Sequence, residues 1–211
     1  MKRVLLAAVL CAPLSVFAEG AARDPYTQGS AEAGAGKAAV CTACHGPGGN
    51  SANPEWPKLA GQSSRFILEQ LQLFKSGKRQ NPLMSAQAAM LADADMKDLA
   101  AYFAAQPASP GVASKDAIPV AQRLYRAGDA TRGIPACAAC HGPTGAGVST
   151  AAYPRIGGQH SVYVTARLKL YREEAGKADA AEGNQKIMAA VAAKLTDEDI
   201  AALASYVNGL Q

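Results

Sequence analysis

Two short stretches of the 211-residue chain set cysteine and histidine at one fixed spacing: CTACHGPGG at 41–49 and CAACHGPTG at 137–145. The C-x-x-C-H pattern has a specific chemical use. Both thiols can form thioethers with the two vinyl groups of one haem, while the adjacent histidine faces the iron as an axial ligand. Cys41, Cys44 and His45 would hold one haem; Cys137, Cys140 and His141 would hold another. Other uses of paired cysteines fit less well. A thioredoxin-like dithiol wants a βαβ setting, which is absent. A four-cysteine zinc site would have to join pairs that lie 96 positions apart in equivalent places of a repeat. The expected cofactors are therefore two covalently bound haems c.

The second axial ligand separates an electron carrier from an enzyme. The chain has 3 histidines, so at most one iron could be held by two, through His160. His160 aligns with Ser63 of the first copy and reads as a surface histidine. Methionine remains. Met84 and Met188 occupy the same position, seven residues before Leu91 and Leu195. Met90 aligns with Lys194, and Met96 with Ile200, which makes Met96 a core residue. A lone methionine is usually core filler, but the paired placement marks Met84 and Met188 as axial ligands.

The elements that must position these groups form a duplication. PKLAGQ at 57–62 matches PRIGGQ at 154–159, and MSAQAAMLADADMKDLAAYF at 84–103 matches MAAVAAKLTDEDIAALASYV at 188–207 without a gap. QPASPGVASKDAIP between the copies reads as a linker. The boundaries expected are a signal peptide at 1–18, one domain at 19–107, a linker at 108–119 and a second domain at 120–211.

The composition is rich in alanine with no alternating strand pattern, so the fold expected is all-α. Ile200, Leu203, Tyr206, Val207 and Leu210 share a helical face, and Thr196 with Asp199 resembles a capping box. Met96, Leu99, Tyr102 and Phe103 repeat that face. Ile67, Leu71 and Phe74 mark another amphipathic helix, matched by Val164, Leu168 and Tyr171. A helix is expected to lead into each motif, from about Ala31 to Val40 and from about Val120 to Ala127. The stretch from histidine to methionine spans 39 positions in the first copy and 47 in the second, most of the excess lying in EEAGKADAAEGNQKIM.

The first residues have a basic start, an apolar run from Val4 to Phe17 and a small Ala18, the pattern of a secretory signal peptide cleaved after Ala18. The run is interrupted by Pro13 and is too short for a membrane anchor. Cys11 lies within it, leaving four cysteines, all in the two motifs. Export to the periplasm follows. Without Lys2 and Arg3 the 21 basic residues become 19 against 17 acidic ones, a balance that argues against nucleic acid as a partner. RLKLYR at 167–172 is read as a solvated helix face.

CTACHG and CAACHG, PKLAGQ and PRIGGQ, the paired methionines and the DLAAYF and LASYV helices together resemble the dihaem cytochromes c of the c4 type over essentially the whole mature length. The resemblance implies two tandem cytochrome c-like helical domains related by a pseudo-two-fold axis, with haem edges facing each other. It also implies that the carbonyls of Pro57 and Pro154 fix the two imidazoles. It implies a periplasmic, non-enzymatic carrier passing electrons from a cytochrome bc complex to a haem-copper terminal oxidase, with peripheral membrane association left open. Two alternatives stand beside it. One is the dihaem subunit of a flavocytochrome of the sulfide dehydrogenase type; the other is a dihaem enzyme such as a peroxidase, which needs an open iron position.

Overall fold

The structure is a computed structural model that describes residues 22–177 and 183–211. The stretch 1–18 expected to be a signal peptide and part of the longer segment before Met188 lie outside the described residues. Among the described residues ten α-helices follow one another: α1 (Ala31–Lys37), α2 (Ala39–His45), α3 (Ser64–Lys75), α4 (Pro82–Ala89), α5 (Asp93–Ala104), α6 (Ile118–Ala127), α7 (Ala138–His141), α8 (Ser161–Glu174), α9 (Gly183–Ala192) and α10 (Asp197–Asn208). No strand forms among the described residues, which hold only isolated bridges, and no described helix is long and apolar enough to cross a membrane.

Each copy builds its own core. In the first, α1 and α3 pack on α5, burying Ala38, Ile67, Leu99, Ala100 and Phe103. In the second, α6 and α8 pack on α10, burying Ala121, Leu124, Tyr125, Ile134, Leu195, Ile200, Leu203, Tyr206 and Val207. The last helices are those the periodicity requires: Met96 is 1% exposed and Ile200 0%. Burying such side chains contributes about 1.5–3 kcal/mol each. Thr196 caps α10, accepting from Asp199 N while Asp199 accepts from Thr196 N. The first copy keeps half of that arrangement, Asp95 accepting from Ala92 N.

The lead-in helices depart from expectation. The first ends at Lys37, and after Ala38 a second helix carries the motif itself. Gly34 permits the close crossing of α1 on α5: a Cβ there would stand 2.1 Å from the Asp98 carbonyl oxygen. In the second copy α6 starts at Ile118, ends at Gly128 with φ 70°, and a loop closed by paired bonds between Asp129 and Ile134 intervenes before α7. The segment joining the copies is tied to both. Asn50 accepts from Ser109 N and donates to Pro107 O, while Asn208 accepts from Val112 N.

Candidate functional site

Both motifs lie on a helical turn, which places the two cysteines at i and i+3 and the histidine at i+4 on one face. Cys41, Cys44 and His45 belong to α2; Cys137 caps α7, which carries Cys140 and His141. Each motif ends at a glycine with φ 77°, Gly46 and Gly142, a conformation that costs other residues strain. The chain then turns back under the histidine. His45 Nδ1 lies 2.9 Å from the Pro57 carbonyl and His141 Nδ1 2.9 Å from the Pro154 carbonyl. These are the bonds the family resemblance implied.

The loops bearing the prolines are held by one device in both copies. The Gly49 carbonyl accepts from Leu59 N and Ala60 N; the Gly145 carbonyl accepts from Ile156 N and Gly157 N. A Cβ on Gly49 would come within 2.8 Å of the Phe103 ring, so the close approach requires glycine.

The donor set fits a haem. A carbonyl can only accept, so Nδ1 of each imidazole carries the proton and Nε2 keeps its lone pair for a metal. Burial holds both histidines below their ordinary pKa, with the proline carbonyls acting in the opposite sense. Burial also pushes the Cys41 thiol up, and that of Cys137 up to about 11. The result is a set of neutral, soft groups on one helical face. No three His, Cys, Asp or Glu side chains converge among the described residues to hold a bare metal ion, so the zinc alternative is not assembled.

Met84 and Met188 are both half-buried, on α4 and α9. Asn81 accepts from Met84 N at 3.0 Å, capping α4 with Pro82 in its first turn and fixing where that helix begins. Met90 is exposed.

Three features differ from, or go beyond, what the sequence conveyed. His160 is half-buried rather than a surface residue: its Nε2 donates to the Ser51 carbonyl of the other copy at 2.8 Å. Two arginines of RLKLYR are engaged within the fold, Arg167 over the Tyr171 ring and Arg172 with the Leu195 carbonyl and Asp197. Gln62 and Gln159, the last residues of PKLAGQ and PRIGGQ, cross between the copies to the backbones of Arg155 and Lys58. Their repetition in both copies was the available signal, but a repeat does not say where a side chain's partner lies.

With this geometry in view, the likenesses to known proteins are consistent. The family profile of cytochrome c matches residues 31–106 and 121–211. The chain is similar to cytochrome c4 of Pseudomonas aeruginosa, 43% identical over 210 residues and covering 100% of both chains. It is similar to a thiosulfate dehydrogenase electron acceptor of Stutzerimonas stutzeri, 37% identical over 206 residues, covering 95% of this chain and 92% of that one. Its structure resembles that of reduced recombinant cytochrome c4 from Pseudomonas stutzeri with a TM-score of 0.81, at 42% identity, over 87% of this chain and 100% of the other.

Proposed function

The chain belongs to the cytochrome c4 family, as a dihaem c-type electron-transfer protein with two covalently bound haems c, and on that premise we propose a periplasmic shuttle between respiratory complexes. Electrons enter from a cytochrome bc complex and leave to a haem-copper terminal oxidase. The domains run over 19–107 and 120–211, after removal of a signal peptide at Ala18. Cys41 and Cys44 would anchor one haem and Cys137 and Cys140 the other; His45 with Met84, and His141 with Met188, would hold the two irons.

Each haem, when bound, supplies a one-electron couple whose potential methionine ligation raises. The chain's residues do the rest. His45 and His141 keep Nδ1 protonated against Pro57 and Pro154, which orients each ring and raises the basicity of Nε2. Two protein ligands per iron leave no position for a substrate, which supports a carrier over a peroxidase. Partner encounters are weak and transient, as electron-transfer contacts tend to be.

The observation that carries this reading is the doubled His–Pro bond behind a C-x-x-C-H turn, with a half-buried methionine on a later helix of each copy. The test is an optical spectrum of the purified protein, oxidised and reduced, with haem content measured. Two haems, a methionine-to-iron band of full intensity and no rapid carbon monoxide binding are expected. A half-strength band, or rapid binding by the ferrous protein at neutral pH, would overturn the closed-site assignment.

A second reading has its own support in the thiosulfate dehydrogenase electron acceptor. Here the donor is a sulfur-compound dehydrogenase and the ligands are unchanged. Stopped-flow reduction by a purified thiosulfate dehydrogenase and by a cytochrome bc complex separates the two; the faster donor at equal concentration identifies the route.

A further inference from the structure

Each peptide that orients a motif histidine is gripped by a glutamine of the opposite repeat. The oxygen of the Pro57–Lys58 peptide lies 2.9 Å from His45 Nδ1. The N–H of that same peptide, on Lys58, donates to Gln159 Oε1 at 2.9 Å, and Gln159 Nε2 donates back to the Lys58 carbonyl at 2.9 Å. The second site repeats this with the copies exchanged. The Pro154 oxygen receives His141 Nδ1, Arg155 N donates to Gln62 Oε1 at 2.7 Å, and Gln62 Nε2 donates to the Arg155 carbonyl at 2.9 Å.

Both glutamines are buried, at 7% and 8% exposure. Each Oε1 also accepts from the residue that follows it, Ser63 N and His160 N, both at 3.0 Å. Two N–H donors converging on one atom fix the amide orientation, because a flipped side chain would set its NH2 against both.

A peptide whose N–H is hydrogen-bonded in a low-dielectric setting is polarised toward its oxygen. That oxygen becomes a stronger acceptor for the Nδ1 proton, the imidazole gains negative character, and Nε2 becomes the more basic ligand. A more basic ligand favours ferric over ferrous iron. We propose that Gln62 and Gln159 are positioning residues that set the reduction potential of the haem in the opposite repeat, each through the peptide behind that haem's histidine. The inference rests on the axial roles of His45 and His141 given above.

The test uses the full dihaem protein and its Gln159→Leu and Gln62→Leu variants. Redox titration followed by NMR resolves the two haems by their own ring-methyl resonances. Gln159→Leu raises the potential of the first haem, beside His45, more than that of the second; Gln62→Leu does the reverse. In the reduced protein the amide proton of Lys58, or of Arg155, moves upfield as its acceptor is lost. Gln159→Glu, which keeps an acceptor for Lys58 N and forfeits the donor, instead lowers the first haem's potential more than the second's, and decides the matter should the leucine variant not fold.

Unmoved potentials, or a larger shift at the haem of the variant's own repeat, would overturn the inference. Imidazole nitrogen resonances of the reduced unmodified protein separate this failure from that of its premise. If His45 and His141 lack the ring-current shifts of iron-bound rings, the ligand reading fails and this inference with it. If they show those shifts while the potentials stay put, only the crossed tuning is refuted.

Discussion

The two repeats reach the same histidine geometry by different approaches. In the first, α1 runs almost directly into α2, and Lys37 ties that approach to α5 through Asp95 and Asp98, at 2.7 and 2.6 Å. In the second, α6 stops at Gly128, a loop follows, and Arg132 in that loop reaches Asp199 of α10 and Asp129. Asp95 and Asp199 occupy equivalent positions, yet their cations sit on unrelated elements. The second repeat adds Tyr125, fully buried, whose hydroxyl donates to the Gly142 carbonyl at 2.6 Å and whose pKa burial raises. What does not vary is the His–Pro bond, 2.9 Å in both. The constraint on the site therefore lies in the turn and the proline loop, while the route into the turn is free to change.

The strongest way to test that equivalence is to open one iron at a time. Met84→Ala and Met188→Ala should each convert one haem to rapid carbon monoxide binding and lower its potential, leaving the other closed; flash photolysis counts the open sites. Equal behaviour of the two variants supports a shared ligand set despite the eight-residue difference in spacing. A variant that stays closed would show that its methionine is not the ligand in that repeat.

Next in size is Tyr125→Phe, which removes one of the two donors to the Gly142 carbonyl, leaving Gly145 N, and should cost the second repeat about 0.5–1.5 kcal/mol in denaturant unfolding. The first repeat, which reaches its motif without such a tyrosine, should be unaffected, splitting the unfolding transition.

The smallest effect is on acid stability. The Arg132 guanidinium holds Asp199 below the usual carboxylate range; Thr131, then Arg132, do the same for Asp129. Lys37 depresses Asp95 and Asp98. A depressed carboxylate adds stability that is complete above its unfolded value, about 4, and is lost as pH falls through the folded value. Thermal midpoints should therefore fall as pH drops below about 4, and Arg132→Gln should flatten that fall in the second repeat only. Asp98 and Asp199 are buried, but Lys37 and Arg132, the cations that pair with them, are each 36% exposed, so screening keeps the effect small.

Much of this architecture was legible in the sequence because it rests on local pattern. The apolar face of α10 and its Thr196–Asp199 cap follow from positions three and four apart, and both motifs are contiguous. The break after Lys37 was not legible, since nothing in AEAGAGKAAV distinguishes one helix from two. The roles of His160, Arg172, Gln62 and Gln159 were hidden for another reason. Their partners lie 109, 23, 93 and 101 positions away in the chain, where periodicity carries no information.

The crossed glutamines have a consequence for how such a chain could arise. Each repeat carries both halves of the contact, a glutamine to give and a post-proline peptide to receive, so the surface is self-complementary in the manner of an isologous dimer. Two separate copies of one repeat could already pair through it. Joining them through residues 108–119 replaces a concentration-dependent encounter with a fixed effective concentration, and frees each half to diverge while the pairing that relates them is kept.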